Sequence, residues 1–166
     1  MNDARCRYGV LYAYNRWANQ RLIAAAKLLS AEQFLAPSVF PHGSLRDTLG
    51  HVIRTERAWC AVLRGASSDP LPSLRNEELS TVTVVEARWD AVQAETQACV
   101  ASLPDADLAR VLPMASGGAL TVWQILINLY THSTQHRGEV AQILTDHGRS
   151  PGDIDYLFFA LEQPIP

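Results

Sequence analysis

Long apolar runs, blocks of like charge and closely paired cysteines are all missing from this sequence. Its three cysteines, Cys6, Cys60 and Cys99, are far apart and form no CxxC pair. They indicate reduced thiols rather than a disulfide framework. No apolar run reaches the roughly 18 residues that a membrane-spanning helix needs. The first residues are polar and no apolar segment follows them, so we expect no signal peptide and a cytoplasmic protein.

The charge balance also excludes some classes of partner. The chain has 14 Lys and Arg against 17 Asp and Glu, which gives a net charge of −3. A protein that binds nucleic acid through its phosphates needs a basic surface, and electrostatic attachment to a membrane needs a polybasic patch. Because the sequence has neither, we expect no nucleic-acid partner and no membrane partner.

Helical periodicity dominates what is present. With 48% hydrophobic residues in 166, the chain can build a core, and its length predicts one domain over residues 1–166. Apolar residues recur at spacings of three and four in four long segments, approximately 7–29, 44–65, 76–103 and 120–148. Four amphipathic helices of this length predict an all-α four-helix bundle, and the long connections favour a crossover.

Smaller features are predicted around these helices. Ser44 is expected to cap the second helix, and a turn-rich loop is expected at 67–72. Residues 110–114 and 119–121 could pair as a small hairpin. A short helix from Asp153 is expected to pack back over the bundle.

Two histidines, His132 and His136, mark a candidate metal site in the fourth segment. Their spacing of four places both imidazoles on one face of a helix, about one turn apart and within reach of one metal ion. His136 falls in the apolar stripe of this helix and His132 on its flank. Imidazole nitrogens inside a core need partners, and a shared ion would satisfy both rings.

A third ligand should come from another helix, and His51 on the second helix is the best candidate. It lies on a mildly polar flank, so a surface histidine or one hydrogen-bonded in the core remain alternative interpretations. His42 follows a proline in a loop and is expected to be exposed, and His147 is expected at the negative end of the fourth helix. Glu139 could accept a hydrogen bond from an imidazole, although a solvated glutamate would also fit the pattern.

Motifs for other chemistries are missing. Ser133 follows His132, so the sequence lacks the glutamate of the HExxH metalloproteases, and it contains no GxSxG, P-loop or GxGxxG motif.

Three stretches resemble the DinB/YfiT-like superfamily of metal-dependent proteins. They are YNRWAN at 14–19, SLRDTLGHVI at 44–53, and HSTQHRGE at 132–139, which is followed by HGRSP at 147–151 and Asp155. The resemblance implies a bundle with up-down-down-up connectivity. It also implies one divalent ion, commonly zinc or nickel, held by His51, His132 and His136. Similar proteins are often homodimers, and characterised ones include transferases and isomerases that depend on low-molecular-weight thiols.

Three functional hypotheses follow. The first is a metal-dependent enzyme acting on a small molecule, either a thiol-dependent S-transferase or isomerase or a hydrolase, because three imidazoles leave a coordination position open. In that case Arg137 could bind a carboxylate of the substrate or thiol, although a helix arginine in a salt bridge is the simpler interpretation. The second is a non-catalytic metal-binding or ligand-binding bundle, for example in a stress response. The third is a plain helical bundle without metal.

Overall fold

The computed structural model describes residues 4–65, 74–114 and 117–162, with the side chains of residues 4–7 excepted. Its four long helices are α1 (Ala4–Ala26), α3 (Leu45–Leu63), α4 (Val82–Ser102) and α5 (Val122–Asp146). Two short helices, α2 (Ala31–Leu35) and α6 (Tyr156–Glu162), accompany them. The predicted all-α bundle is confirmed. In the described ranges, no helix is long and apolar enough to cross a membrane.

Two apolar clusters fix the direction of the four long helices. One cluster joins the end of α1 and the end of α5 to the beginnings of α3 and α4. The other joins the beginning of α5 and Tyr8 of α1 to the ends of α3 and α4. Helices α1 and α5 therefore run in one direction and α3 and α4 in the other, so the implied up-down-down-up connectivity is present. Around the bundle, α1 packs on α4 and α5, and α3 packs on the same two helices.

Side-chain caps explain where the helices begin. The Ser44 side chain accepts a hydrogen bond from the Asp47 amide and caps α3, as predicted. Thr81 caps α4 in the same way, through the Val84 amide. The prediction that this helix begins near residue 76 was therefore wrong, because a separate 3₁₀ turn (Asn76–Glu78) precedes the cap. The predicted loop at 67–72 lies outside the described residues.

Short elements complete the structure. Strands β1 (Val111–Pro113) and β2 (Ala119–Thr121) pair antiparallel, which confirms the predicted hairpin. Helix α6 packs on α1 through Phe159, so the C-terminal segment folds back as expected. Helix α2 was missed, although its cap Ser30 and the Gln33 side chain form a reciprocal capping box that the sequence shows.

A buried polar cluster crosses the middle of the bundle. Glu56 of α3 accepts hydrogen bonds from the Tyr12 hydroxyl of α1 and from Nε1 of Trp89 on α4, the latter at 3.1 Å. The same hydroxyl lies 3.0 Å from the main-chain carbonyl of Gln93. Burial of the carboxyl raises the pKa of Glu56, and these hydrogen bonds oppose the shift. The cluster thus connects α1, α3 and α4 through hydrogen bonds.

Candidate metal centre

The antiparallel packing of α3 and α5 brings the three predicted histidines together. His51 lies near the beginning of α3, and His132 and His136 lie near the middle of α5, in the part that runs beside it. The His132 and His136 ring centroids are 4.5 Å apart. The ring centroid of His51 lies 4.9 Å from that of His132 and 4.7 Å from that of His136. One ring from α3 and two from α5 are therefore neighbours, and their role as metal ligands stays a prediction.

A fourth histidine, His42, also belongs to this cluster. Its ring stacks on that of His51, with centroids 3.9 Å apart and planes at 19°. The ligand nitrogens of His42, His51 and His136 all lie within 4.8 Å of one another. The expectation that His42 is exposed was wrong, because this stacking leaves it only partly accessible.

The loop that carries His42 is held by its backbone. Gly43 has a φ of 90°, a conformation that side chains disfavour, and its amide donates to the Phe40 carbonyl at 2.9 Å. A bridge between Pro37 and Ser44 closes the loop just before α3 begins. Periodicity carries no information on a loop side chain. The sequence did offer one indication that His42 could lie close to His51. His42 is two residues before Ser44, the cap of α3, and His51 lies near the same end of that helix.

Nitrogen positions allow His51 and His132 to share an ion. Their Nε2 atoms are 3.0 Å apart. Because metal–nitrogen bonds to imidazole are about 2.0–2.1 Å long, two ligands of one ion must have nitrogens within about 4.2 Å of each other. The separation is therefore compatible with a common ion.

The electrostatic environment favours the neutral form of His42, His51 and His132. Burial, followed by repulsion from the neighbouring histidines, lowers the pKa of His51 to about 4 and that of His132 to about 4. Burial and the proximity of His136 also lower the pKa of His42. Since a metal binds the unprotonated imidazole, this environment favours the form that acts as a ligand near neutral pH.

Glu139 fixes the orientation of His136. Its Oε2 lies 2.7 Å from Nδ1 of His136, one turn earlier on α5. When Nδ1 donates this hydrogen bond, the proton resides on Nδ1 and the lone pair of Nε2 stays free for a ligand bond. Carboxylate partners of this kind are typical of metal-binding histidines. The side chains of His136 and Glu139 are only 7% and 14% exposed, so competition from water is limited.

Arg137 and His147 take no part in the cluster. One step along a helix turns the side chain by about 100°, so Arg137 points toward α1 while His136 points toward α3. The Arg137 guanidinium donates to Asn15 and Thr134 and lies 5.0 Å from the centre of the Tyr14 ring. These partners hold the Arg137 guanidinium inside the bundle, where it does not face a substrate. His147 is the C-cap residue of α5, about three turns beyond His136.

Taken together, the donor set fits a divalent metal. It consists of imidazoles from two helices and one loop, with a carboxylate supporting one ring. Nitrogen ligands of this type suit zinc, nickel, copper and iron. The cluster could therefore hold a divalent ion.

Comparison with known proteins agrees with this arrangement. The sequence model of the DinB family matches residues 1–165, which is nearly the whole chain. The chain belongs to the DinB family. It is also similar to Protein DinB of Bacillus subtilis (strain 168), with 28% identity over 155 residues, covering 88% of this chain and 89% of that protein. The resemblance seen in the sequence is thereby confirmed at the level of the family.

Proposed function

We propose that this DinB-family chain is a metal-dependent enzyme that acts on a small molecule, and that His51, His132 and His136 hold its metal. The observation that carries the proposal is the convergence of the three rings between α3 and α5, with centroids 4.5–4.9 Å apart. Three protein ligands leave room for an exchangeable molecule, as catalytic sites do. The expected reaction class is transfer or isomerisation dependent on a low-molecular-weight thiol, with hydrolysis as the variant that uses water.

Each residue of the cluster has a separate part in this proposal. Burial keeps His51 and His132 unprotonated, and the Glu139 carboxylate keeps the Nε2 atom of His136 available. When bound, the ion supplies Lewis acidity and lowers the pKa of a thiol or water that shares its coordination sphere. His51 and His132 are partly accessible, so the substrate electrophile would approach the cluster from their side.

His42 supports a second candidate function, a non-catalytic metal-binding protein. Its ring lies against His51, and its ligand nitrogen lies within 4.8 Å of those of His51 and His136. If His42 were a fourth ligand, the site would be closed, as structural zinc sites are. The two candidates therefore differ in one measurable property, which is whether the ion accepts an added ligand.

Metal content tests the ligand set. We expect tag-free protein to bind about one divalent ion per chain by elemental analysis, and the single variants His51→Ala, His132→Ala and His136→Ala to lose nearly all of it. His147→Ala is the matched control, since it removes the histidine at the C-cap of the helix that carries two of the ligands, away from the cluster. A metal content that stays unchanged in the three variants, or is zero in the wild type, would contradict the proposal.

Cobalt substitution tests whether the site is open. Co²⁺ absorbs in the visible range, and its spectrum reports changes in coordination. We expect 2-mercaptoethanol to shift the spectrum of the wild type and of His42→Ala in the same way. If only His42→Ala responds, the wild-type site is closed and the non-catalytic function is favoured.

Activity is then sought with the metal-loaded protein. A thiol panel of glutathione, cysteine and 2-mercaptoethanol is combined with 1-chloro-2,4-dinitrobenzene as the electrophile, and thioether formation is followed by absorbance. His136→Ala is the negative control. Zinc and nickel are tested first, because the family resemblance implies them. The same resemblance leads us to propose a homodimer, and sedimentation of the purified protein measures its oligomeric state. The scattered cysteines lead us to propose that it acts in the cytoplasm.

A further inference from the structure

Two cysteines that take no part in the metal centre lie against each other near the ends of α3 and α4. Cys60 of α3 and Cys99 of α4 are buried in the apolar cluster at this end of the bundle. Cys60 Sγ lies 3.9 Å from the main-chain carbonyl oxygen of Glu95 on α4, and Cys99 Sγ lies 4.0 Å from the carbonyl oxygen of Cys60. The two thiols are also within hydrogen-bonding reach of each other.

This arrangement suits a bond between the two sulfurs. A disulfide requires two helices that approach closely, with Cα atoms about 4.4–6.8 Å apart. Here each sulfur already lies beside the backbone of the opposite helix, and the carbonyl that Cys60 contacts is one turn before Cys99. Rotation of the two side chains is therefore the principal movement that the bond needs.

A positive charge accompanies the pair. The Arg64 guanidinium, at the end of α3, donates to the Glu95 carbonyl at 2.9 Å and lies within hydrogen-bonding reach of the Cys99 thiol. The hydrogen bond from Cys60 lowers the pKa of Cys99, burial opposes this shift, and the Arg64 cation lowers the pKa further. The Arg64 side chain is 48% exposed, so the thiols lie one side chain below the surface. Cys99 is thus the thiol that ionises more readily, and the thiolate is the form that oxidants attack.

We propose that Cys60 and Cys99 form a peroxide-sensitive dithiol that closes to a reversible disulfide between α3 and α4. The oxidant reaches Cys99 when Arg64 turns aside, a movement that exposed side chains make within nanoseconds. In the absence of peroxide both thiols stay reduced, as in other cytoplasmic proteins, where disulfides are transient.

The reaction takes two steps. The Cys99 thiolate attacks one oxygen of hydrogen peroxide, the O–O bond breaks, and the departing hydroxide takes up a proton to become water, which leaves Cys99 as a sulfenic acid. The Cys60 sulfur then attacks the Cys99 sulfur, the S–O bond breaks, and the Cys60 proton leaves with the hydroxide as a second water. Two thiols lose two electrons in total, and one peroxide is reduced to two waters.

Oxidation of the full chain tests the pair. Cys6→Ser leaves these two cysteines alone in the chain, and a chelator removes metal that could catalyse oxidation. The folded variant is treated with an about tenfold excess of hydrogen peroxide, then unfolded, alkylated and weighed by mass spectrometry. We expect both thiols to be lost together, with a mass about 2 Da lower, a linked peptide pair after proteolysis, and full recovery with dithiothreitol. The wild type, followed by peptide mapping, should show the same link.

Other products would overturn the proposal. These are sulfinic or sulfonic acid as the main product, a disulfide-linked dimer, or two thiols that remain free after a day. Glutathione redox buffers test whether the fold favours the bond. Half-reduction of the disulfide should need at least about tenfold more reducing buffer in the folded Cys6→Ser chain than in urea, and a lower requirement would contradict the proposal.

Substitutions assign the two roles. Cys60→Ser removes the second sulfur, so we expect the Cys99 sulfenic acid to accumulate and to be trapped by dimedone, and a trapped adduct that is missing would contradict the order of steps. Arg64→Lys and Arg64→Gln both remove the guanidinium but differ in charge, and we expect disulfide formation to be at least about threefold faster in the lysine variant. Arg88→Lys and Arg88→Gln, at an exposed position about three turns before Cys99, are the matched controls and should react equally. Equal rates in the two Arg64 variants would show that the cation does not promote the reaction.

Discussion

The buried carboxyl of Glu56 should make the stability of this protein fall as the pH rises. Glu56 is 5% exposed, and its environment raises its pKa above the ordinary value of 4.5. Between the unfolded and folded pKa values, the folded chain holds a proton that the unfolded chain has released. Folding is therefore favoured at the acidic end of this window, and the contribution is lost as the pH rises through the folded pKa.

The substitution Glu56→Gln isolates this effect. The glutamine oxygen can still accept from Nε1 of Trp89, and its NH₂ group can donate to the Tyr12 hydroxyl, which in turn donates to the Gln93 carbonyl 3.0 Å away. The neutral amide thus imitates the protonated acid. Between the unfolded and the folded pKa of Glu56, the wild type loses stability as the pH rises and the variant does not. The difference in unfolding free energy, variant minus wild type, should therefore rise by up to about 1.4 kcal/mol per pH unit.

Urea denaturation of metal-free protein from pH 5 to pH 8 measures this difference. The substitution leaves every histidine in place, so the contribution of the histidines is the same in both proteins and cancels. Glu77→Gln, at an exposed position, is the control and should give a difference that does not change with pH. If the difference for Glu56→Gln does not change with pH, the pKa of Glu56 is not raised in the folded protein. If the difference grows as the pH falls, the pKa of Glu56 is lowered instead.

Three further predictions concern single side chains. Ser44→Ala removes the cap of α3 and should lower the unfolding free energy by about 1 kcal/mol, with no change expected if the cap contributes nothing. Gly50→Ala would place a Cβ 2.8 Å from Cδ1 of the fully buried Leu79, so despite the better helix propensity of alanine we expect a loss of about 1 kcal/mol in urea denaturation. A more stable variant would show that Leu79 moves aside freely. Glu139→Gln should weaken metal binding about 10- to 100-fold in competition with a chelator, while an unaltered affinity would show that its contact with His136 does not support the site.

Local sequence patterns predicted much of the fold, because helix periodicity and helix caps depend on residues that are close together in the chain. The apolar stripes predicted the four long helices, and Ser44 predicted the beginning of α3 because a cap depends only on the next three residues. The beginning of α4 was misjudged for a related reason. Apolar periodicity continues through residues 76–81, but the Thr81 cap and the preceding 3₁₀ turn interrupt the helix there.

The sequence by itself determined which histidines could act together on α5, since a spacing of four fixes two rings on one helix face. It also carried the family, in motifs that extend over nearly the whole chain. Only the tertiary structure decided that His42 stacks on His51, because the path of a loop depends on backbone contacts such as those around Gly43. The buried contacts of Glu56 with Tyr12 and Trp89 were equally hidden, since these residues are far apart in the chain and meet only when α1, α3 and α4 pack together.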